Sequence, residues 1–465
     1  MLGIAVLITY TALMLGATVI FTKKSQDTAG FHVADRNIGT GVGAMSIAAT
    51  WICAPALFVS AEKAYTSGIP GLFWFLVPNA LCLVLFIPFA KRMRARYPEG
   101  ITLSGFMTEI YHSPKVKGIY SFQLGALAVL STAVQLLAGG KMLSAVTGIS
   151  FWCMTAILAA VAYSYSCFSG LKASVTTDVV QLGIILTGCA LLVPWTLGKA
   201  GGADCVLKGL GSIVGDHTSL VSETGRALFL SFGLPTTIGL ISGPFGDQCF
   251  WQRVFAIHRK SLGRAFLFGA IIFAIVPMAM GVVGFAAAGK GFIAADPSMV
   301  NMEFIMSMLP AWVLAPFMMM VLSGLLSTVD SNLCASASMT TDLRMAGKLE
   351  NADAIRLSRC VMLLLLLVSI LIANISGLTV THLFLFYGTL RASTLMPTVL
   401  TLLDKRLNAD GVFVGIVASL CIGLPIFAVG NIANIPLLKT VGSLITVLLS
   451  GIVALLSSRK EATAC

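Results

Sequence analysis

Charge is scarce in this chain. Lys, Arg, Asp and Glu make up 11% of its 465 residues, where an ordinary soluble domain carries about 25%. Hydrophobic residues reach 57%, and mean hydropathy is +0.94. Thirty basic and 19 acidic side chains cannot cover the surface of a soluble protein this long. Soluble enzymes, nucleic-acid binders and disordered scaffolds are therefore excluded. Paired cysteines are lacking too. The eleven cysteines stand singly and no CxxC occurs, so neither a zinc cluster nor a disulfide frame is signalled. The five histidines form no HExxH. Long loops are also missing: the largest, about 198–225, has fewer than 30 residues and is too short for a domain. What remains is an all-α polytopic membrane protein whose function sits among its helices. That favours transport over catalysis.

Crossing a bilayer as a helix takes about 20 apolar residues. Thirteen stretches qualify, at roughly 2–22, 40–66, 71–90, 118–140, 146–168, 174–197, 226–245, 264–288, 307–338, 357–375, 379–403, 411–430 and 437–457. The first has no basic residue before it and Lys23-Lys24 after it, the reverse of a secretory signal peptide. It is expected to stay in place with the N-terminus outside. Loops after odd-numbered stretches hold 22 basic residues, including Lys23, Lys24, the KRMRAR cluster, Arg253, Arg344 and Lys348. Loops on the other side hold seven, and Arg391 alone falls deep inside a stretch. This asymmetry predicts an N-outside, C-inside chain. It also assigns the net charge of +11 to topology and not to an acidic partner.

Ionisable side chains at mid-membrane are costly, which makes them functional candidates. Asp178, Asp247, Asp330 and Arg391 are four such residues. Two stretches are also interrupted: AATWICAPALF by Pro55, and ISGPFGDQ by Gly243, Pro244 and Gly246. Proline cannot donate a backbone hydrogen bond, so carbonyls around Trp51 and Ile52 come free. The interruptions lie five stretches apart. They are either ordinary proline kinks or the paired broken helices of an alternating-access transporter. In the ninth stretch, Gly324, Ser327, Thr328, Ser331, Ala335 and Ser338 share about a third of the circumference, flanked by Asp330. Such a stripe is either part of an oxygen cage for a hard cation or a small-residue packing face. In the sixth, Ser174, Thr177, Asp178 and Gln181 share one face. Asp178 there is either an ion ligand or a structural carboxylate.

Three motifs, AATWICAPALF, SGLKASVTTDVVQ and LSTVDSNLCASASMTTDL, make the chain resemble the sodium:solute symporter family over nearly its whole length. The resemblance implies a LeuT-like core of 5+5 inverted repeats over 40–403. One extra helix precedes it at 2–22 and two follow over 411–457, all within one transmembrane domain spanning 1–465. It implies a main Na⁺ site built from Ala49, Ile52, Gly324, Ser327 and Thr328, and a second ion site at Asp178, Asp330 and Ser331. Asp330 stands where Ser is frequent in the family, and the segment from Thr328 to Asp342 is one residue shorter than usual. H⁺ therefore stays open beside Na⁺ as coupling ion. TWICAPALFVSAEKAYTSGIPGLFWF and FGDQCFWQRVFA are most similar to the urea-transporting branch. Trp51, Gly243, Phe245, Asp247 and Arg391 are the candidates for solute contact.

The expectation is a sodium-coupled secondary active symporter, without enzyme activity, in the plasma (inner) membrane. It would import a small polar solute, urea or a related organic solute, by alternating access, with no nucleic acid and no obligate protein partner. A membrane solute sensor and a passive solute channel are the alternatives, and the few residues after the last stretch are expected to leave no sensor output domain. Three roles stay open for Arg391: a solute contact, an ion pair with Asp247 or Asp330, or a register nearer the cytoplasm.

Overall fold

The computed structural model describes residues 2–21, 32–341 and 351–464; Lys23, Lys24, Asp342, Arg344 and Lys348 lie outside them. Among the described residues every regular element is helical. Lipid offers no partner for a free N–H or C=O, so apolar runs satisfy their own backbone by coiling. In chain order the main helices are α1 (Leu2–Phe21), α2 (Thr40–Trp51), α3 (Ser60–Arg96), α4 (Pro114–Thr147), α5 (Phe151–Ser169) and α6 (Leu171–Ala200). They continue with α7 (Leu234–Ile241), α8 (Gln248–Ala256), α9 (Leu262–Gly289), α10 (Leu314–Ser338), α11 (Asn351–Ala373) and α12 (Val380–Leu402). The last are α13 (Ala409–Ala418), α14 (Leu424–Ile432) and α15 (Pro436–Ala464). Ten helical segments among the described residues are long and apolar enough to cross a bilayer. The stretches 40–66, 146–168 and 226–245 fall on helices that are broken or shorter.

Both interruptions are real breaks. After α2 the chain leaves helical geometry at Ile52, then resumes through a π-helical turn at Pro55–Val59 into α3. Between α7 and α8 residues 242–247 turn without regular helix, and a second π-helical turn, Phe229–Gly233, precedes α7. π-turns widen a helix and recur at functional positions. α3 bends once more at Gly68, whose φ of +58° only glycine adopts without strain.

Packing follows the side chains. From Met320 to Ser338 every residue of α10 is buried, so this helix runs through the centre of the bundle. A helix enclosed on all sides must be slim and must satisfy its own polar groups, which is what its Gly, Ala and Ser content provides. α11 is the opposite case: Leu363, Leu364, Leu367, Val368 and Leu371 are exposed, as a lipid-facing stripe should be. α7 and α12 cross through Gly239 and Gly388, which brings Arg391 of α12 close to the second break.

One expectation needs correction. Arg253, counted above with the loop residues, is fully buried in α8, so Arg391 is not the single basic residue deep in the bundle. The polar string QCFWQR reads as a loop, but it continues the broken seventh stretch as a helix. Six residues past Asp247 advance it only about 9 Å, too little to reach water. Removing one residue leaves the loop asymmetry in place.

The glycine crossing can be tested. A Cβ on Gly239 would lie 2.9 Å from the Gly388 Cα, whereas one on Gly388 would lie 3.3 Å from the Gly239 Cα. Backbone cannot rotate away, so Gly239→Ala should destabilise by about 1–3 kcal/mol, more than Gly388→Ala. Gly183→Ala, which meets nothing within 4 Å, is the control. Thermal unfolding in detergent should rank the midpoints 183, 388, 239 from highest to lowest; equal midpoints for 183 and 239 would remove the close crossing.

Candidate ion and solute site

Around the first break, ordinary helical donors are missing. Pro55 has no N–H, the Ala54 N–H donates to Gln135 Oε1 at 2.7 Å, and the Ala56 N–H donates to the Cys53 carbonyl. The carbonyls of Thr50, Trp51 and Ile52 are thereby released from the next turn. α10 lies against them. Thr328 Oγ1 is 3.2 Å from both the Thr50 and Gly324 carbonyls, and its single proton is shared between them. Gly324 lets the chains approach: a Cβ there would stand 3.4 Å from the Ile52 carbonyl oxygen and 2.8 Å from Leu57. Ala49, Ile52, Gly324, Ser327 and Thr328 are all buried where α2 meets α10.

Ser327 turns toward a second cluster. Its hydroxyl donates to Asp178 Oδ1 at 2.6 Å, and Ser46 of α2 donates to Oδ2 at 2.6 Å. Arg253 Nη2 reaches the same Oδ2 at 2.9 Å, with the two side chains 1% and 0% exposed. Arg253 also donates to Ser46 Oγ at 3.0 Å, Ser331 Oγ at 2.8 Å and the Cys249 carbonyl at 3.1 Å. Ser331 is hydrogen-bonded to Thr50 at 3.0 Å. Asp178 thus has three donors and a full counter-charge.

Asp330 has neither. It is completely buried and makes no ion pair among the described residues. Its neighbours are Ser166, Ser174, Thr177 and Cys334. Ser166 and Thr177 already donate to carbonyls of their own helices, to Ala162 at 2.8 Å and to Ser174 at 2.9 Å. Each hydroxyl has one proton, so neither can serve both acceptors fully.

The third cluster lines a small cavity at the meeting point of the two breaks. Trp51, Asp247, Phe250, Tyr387 and Arg391 form its walls, with Asn79 and Asn332 as polar points. Arg391 Nη2 pairs with Asp247 Oδ2 at 2.8 Å; the side chains are 4% and 8% exposed. Its guanidinium lies 4.7 Å from the Tyr387 ring centre and 5.3 Å from that of Trp51, within cation–π range. The Arg391 Nε is buried without a hydrogen-bond partner. Asp247 Oδ1 caps α8 by accepting from the Cys249 N–H at 2.9 Å. Of the remaining candidates, Gly243 makes room for the indole, since a Cβ would stand 2.6 Å from Trp51 Cη2. Phe245 lies apart from the cavity: its ring faces Phe86 and Phe89, each at 5.1 Å.

Arg253, Ser46, Asn79, Tyr387 and Asn332 escaped the reading of the sequence. Only Arg253 carried a usable signal, its closeness to a helix break. The others sit on helices whose facing partners no local pattern reveals.

Comparisons with known proteins give the family and the fold. The model of the sodium:solute symporter family matches residues 31–419. A urea-proton symporter of Oryza sativa subsp. japonica is 22% identical over 85% of this chain and 60% of its own length. A probable urea active transporter of Schizosaccharomyces pombe is 24% identical over 60% of the chain and 44% of its own length. The chain therefore spans about half the length of these relatives. The sodium/pantothenate symporter of Escherichia coli is 25% identical over 92% of the chain and 90% of its own length. Among solved structures, a Na⁺-coupled sialic acid symporter superposes with a TM-score of 0.79 at 17% identity, covering 98% of each chain. A nucleobase-cation-symport-1 family transporter gives 0.59 at 15% identity, covering 95% of this chain and 96% of its own. The fold is LeuT-like, the relatives are transporters and not enzymes, and the chain belongs to the sodium:solute symporter family.

Proposed function

We propose that this protein is a sodium-coupled secondary active symporter of the plasma membrane, oriented N-outside and C-inside. It imports a small neutral solute with an amide-like group, of which urea is the simplest. One observation carries the reading: the freed carbonyls of the first break meet the hydroxyls of α10 at the wall of the cavity. Thr50 is hydrogen-bonded to Thr328 and Ser331, and Thr50, Trp51 and Thr328 all line the cavity. Ala49, Ile52, Gly324, Ser327 and Thr328 would hold sodium. All are oxygen donors of the kind a hard cation takes. The ion would supply positive charge that draws α2 and α10 together.

The chemistry of the cavity supports a neutral solute. Arg391 and Asp247 cancel each other, so a solute bearing net charge would leave one of them uncompensated in a low-dielectric site. A carbonyl oxygen can accept from the free Arg391 Nε, and amide N–H groups can reach the carboxylate or the asparagines. Aromatic walls exclude water and strengthen those bonds.

A proton as coupling ion is the second reading, favoured by Asp330. Asp330 is buried without a counter-charge among the described residues, so a proton on the carboxyl itself would neutralise it there.

Uptake of labelled urea and competing amides into proteoliposomes, with sodium and proton gradients imposed separately, tests the proposal. Concentrative uptake under neither gradient would leave a channel or a sensor. Thr328→Ala should raise the sodium concentration for half-maximal uptake about tenfold, since one ligand oxygen is worth on the order of 1.4 kcal/mol. Unchanged sodium dependence with normal expression would displace the ion from this position. Arg391→Lys keeps the charge but loses the planar fork. It should weaken solute competition about tenfold or more, while sodium binding without solute stays near wild type. Asp330→Asn separates the two coupling readings. Sodium-driven uptake that persists in the variant supports sodium, whereas loss of proton-driven uptake alone identifies Asp330 as the proton carrier.

A further inference from the structure

The second ion site implied by the family resemblance meets an obstacle in this chain. A cation beside Asp178 would need the oxygens around it, and three of those already converge on one guanidinium. Arg253 lies 2.9 Å from Asp178 Oδ2, 3.0 Å from Ser46 Oγ and 2.8 Å from Ser331 Oγ. Arginine has five donors, no acceptor and a permanent charge, so it cannot share this space as a sodium ligand. Nor can it swing to solvent: its side chain is 1% exposed, and its third nitrogen donates to the Cys249 carbonyl at 3.1 Å.

The geometry points to Arg253 as a tethered cation that takes the place of a second coupling ion at Asp178. The charge a mobile ion would bring is supplied by the protein itself, carried on α8. This rests on the sodium-coupled reading for the identity of the remaining ion, not for the role of Arg253. The residue is also placed to hold the fold of the site. Through Ser46 and Asp178 it fastens the helix after the second break to the helix before the first break and to α6; through Ser331 it reaches α10. A mobile second ion would tie these four helices only while bound. The guanidinium ties them throughout the cycle, so the Asp178 cluster stays closed whether or not the main site is filled. Transport in this chain then depends on one ion where a two-site relative would need two.

The test is to count ions on purified full-length protein in lipid nanodiscs, using radioactive sodium at saturation. The wild type should bind one sodium per chain. Arg253→Gln removes the tethered charge and leaves Asp178 open, so it should bind one more than the wild type. Arg253→Lys, which keeps an ammonium in place, should match the wild type, and Asp178→Asn combined with Arg253→Gln should lose the additional ion. Two sodium ions on the wild type would overturn the inference, as would a folded Arg253→Gln protein with an unchanged count. If Arg253→Gln does not fold, the wild-type count decides alone, one supporting and two overturning. A wild type that binds none, with one gained in Arg253→Gln, would defeat sodium coupling but uphold the tethered cation. None on either protein would defeat both.

Discussion

A buried charge must find its partner inside the bundle, and the Asp178–Arg253 pair is where this constraint acts most strongly. In a medium of low dielectric, either charge alone would cost several kcal/mol to hold. Together, with Ser46, Ser327 and Ser331 filling the remaining hydrogen-bond sites, they are satisfied. The pair also dictates geometry. Its members come from α6 and α8, and their serine partners from α2 and α10, so four helices separated widely in sequence must converge on one point. Both broken stretches then have one half anchored there. The halves beyond the breaks are free of this knot and border the cavity.

The Arg391–Asp247 pair follows different rules. It too is buried, but its hydrogen bonding is incomplete, with Nε free and aromatic faces on two sides. A pair that is satisfied on every side contributes rigidity, as the Asp178 cluster does. One that keeps an unsatisfied donor inside a cavity invites a ligand, because the missing bond is worth more there than in water. The two buried ion pairs among the described residues, Asp178–Arg253 and Asp247–Arg391, thus divide into one closed by protein and one left with a free donor.

Much of this could be read from the chain. Pro55 and the Gly243–Gly246 run marked the breaks because proline and clustered glycine act on local geometry. The α10 stripe was visible because small and hydroxyl residues recur on one face at helical spacing. Arg391 stood out because a charge within an apolar run is costly there. The partners themselves were hidden. Thr50 and Ser331 touch across 281 residues, and Ser46 meets Asp178 across 132. No periodicity encodes such a distance. Arg253 was missed for a narrower reason: nine residues of mixed polarity look like a loop, and only the demand that a broken helix continue inward shows them to be a helix.

Shared residues give the two candidate sites a way to influence each other. Thr50 bonds to α10 and also lines the cavity, and Trp51, one peptide further, is another of its walls with Phe250 edge-on at 5.0 Å. α8 repeats the arrangement: Asp247 at its start pairs with Arg391, and Arg253 near its end pairs with Asp178. A displacement at Thr50 therefore moves Trp51, because one planar peptide joins them. Any ligand that favours the closed arrangement of α2 against α10 must favour one placement of the indole, and thermodynamics makes that preference mutual. Coupling in this fold needs no long pathway. It needs two helix breaks whose flanking residues reach both clusters, and a bundle rigid enough at Asp178 that the motion is confined to the breaks.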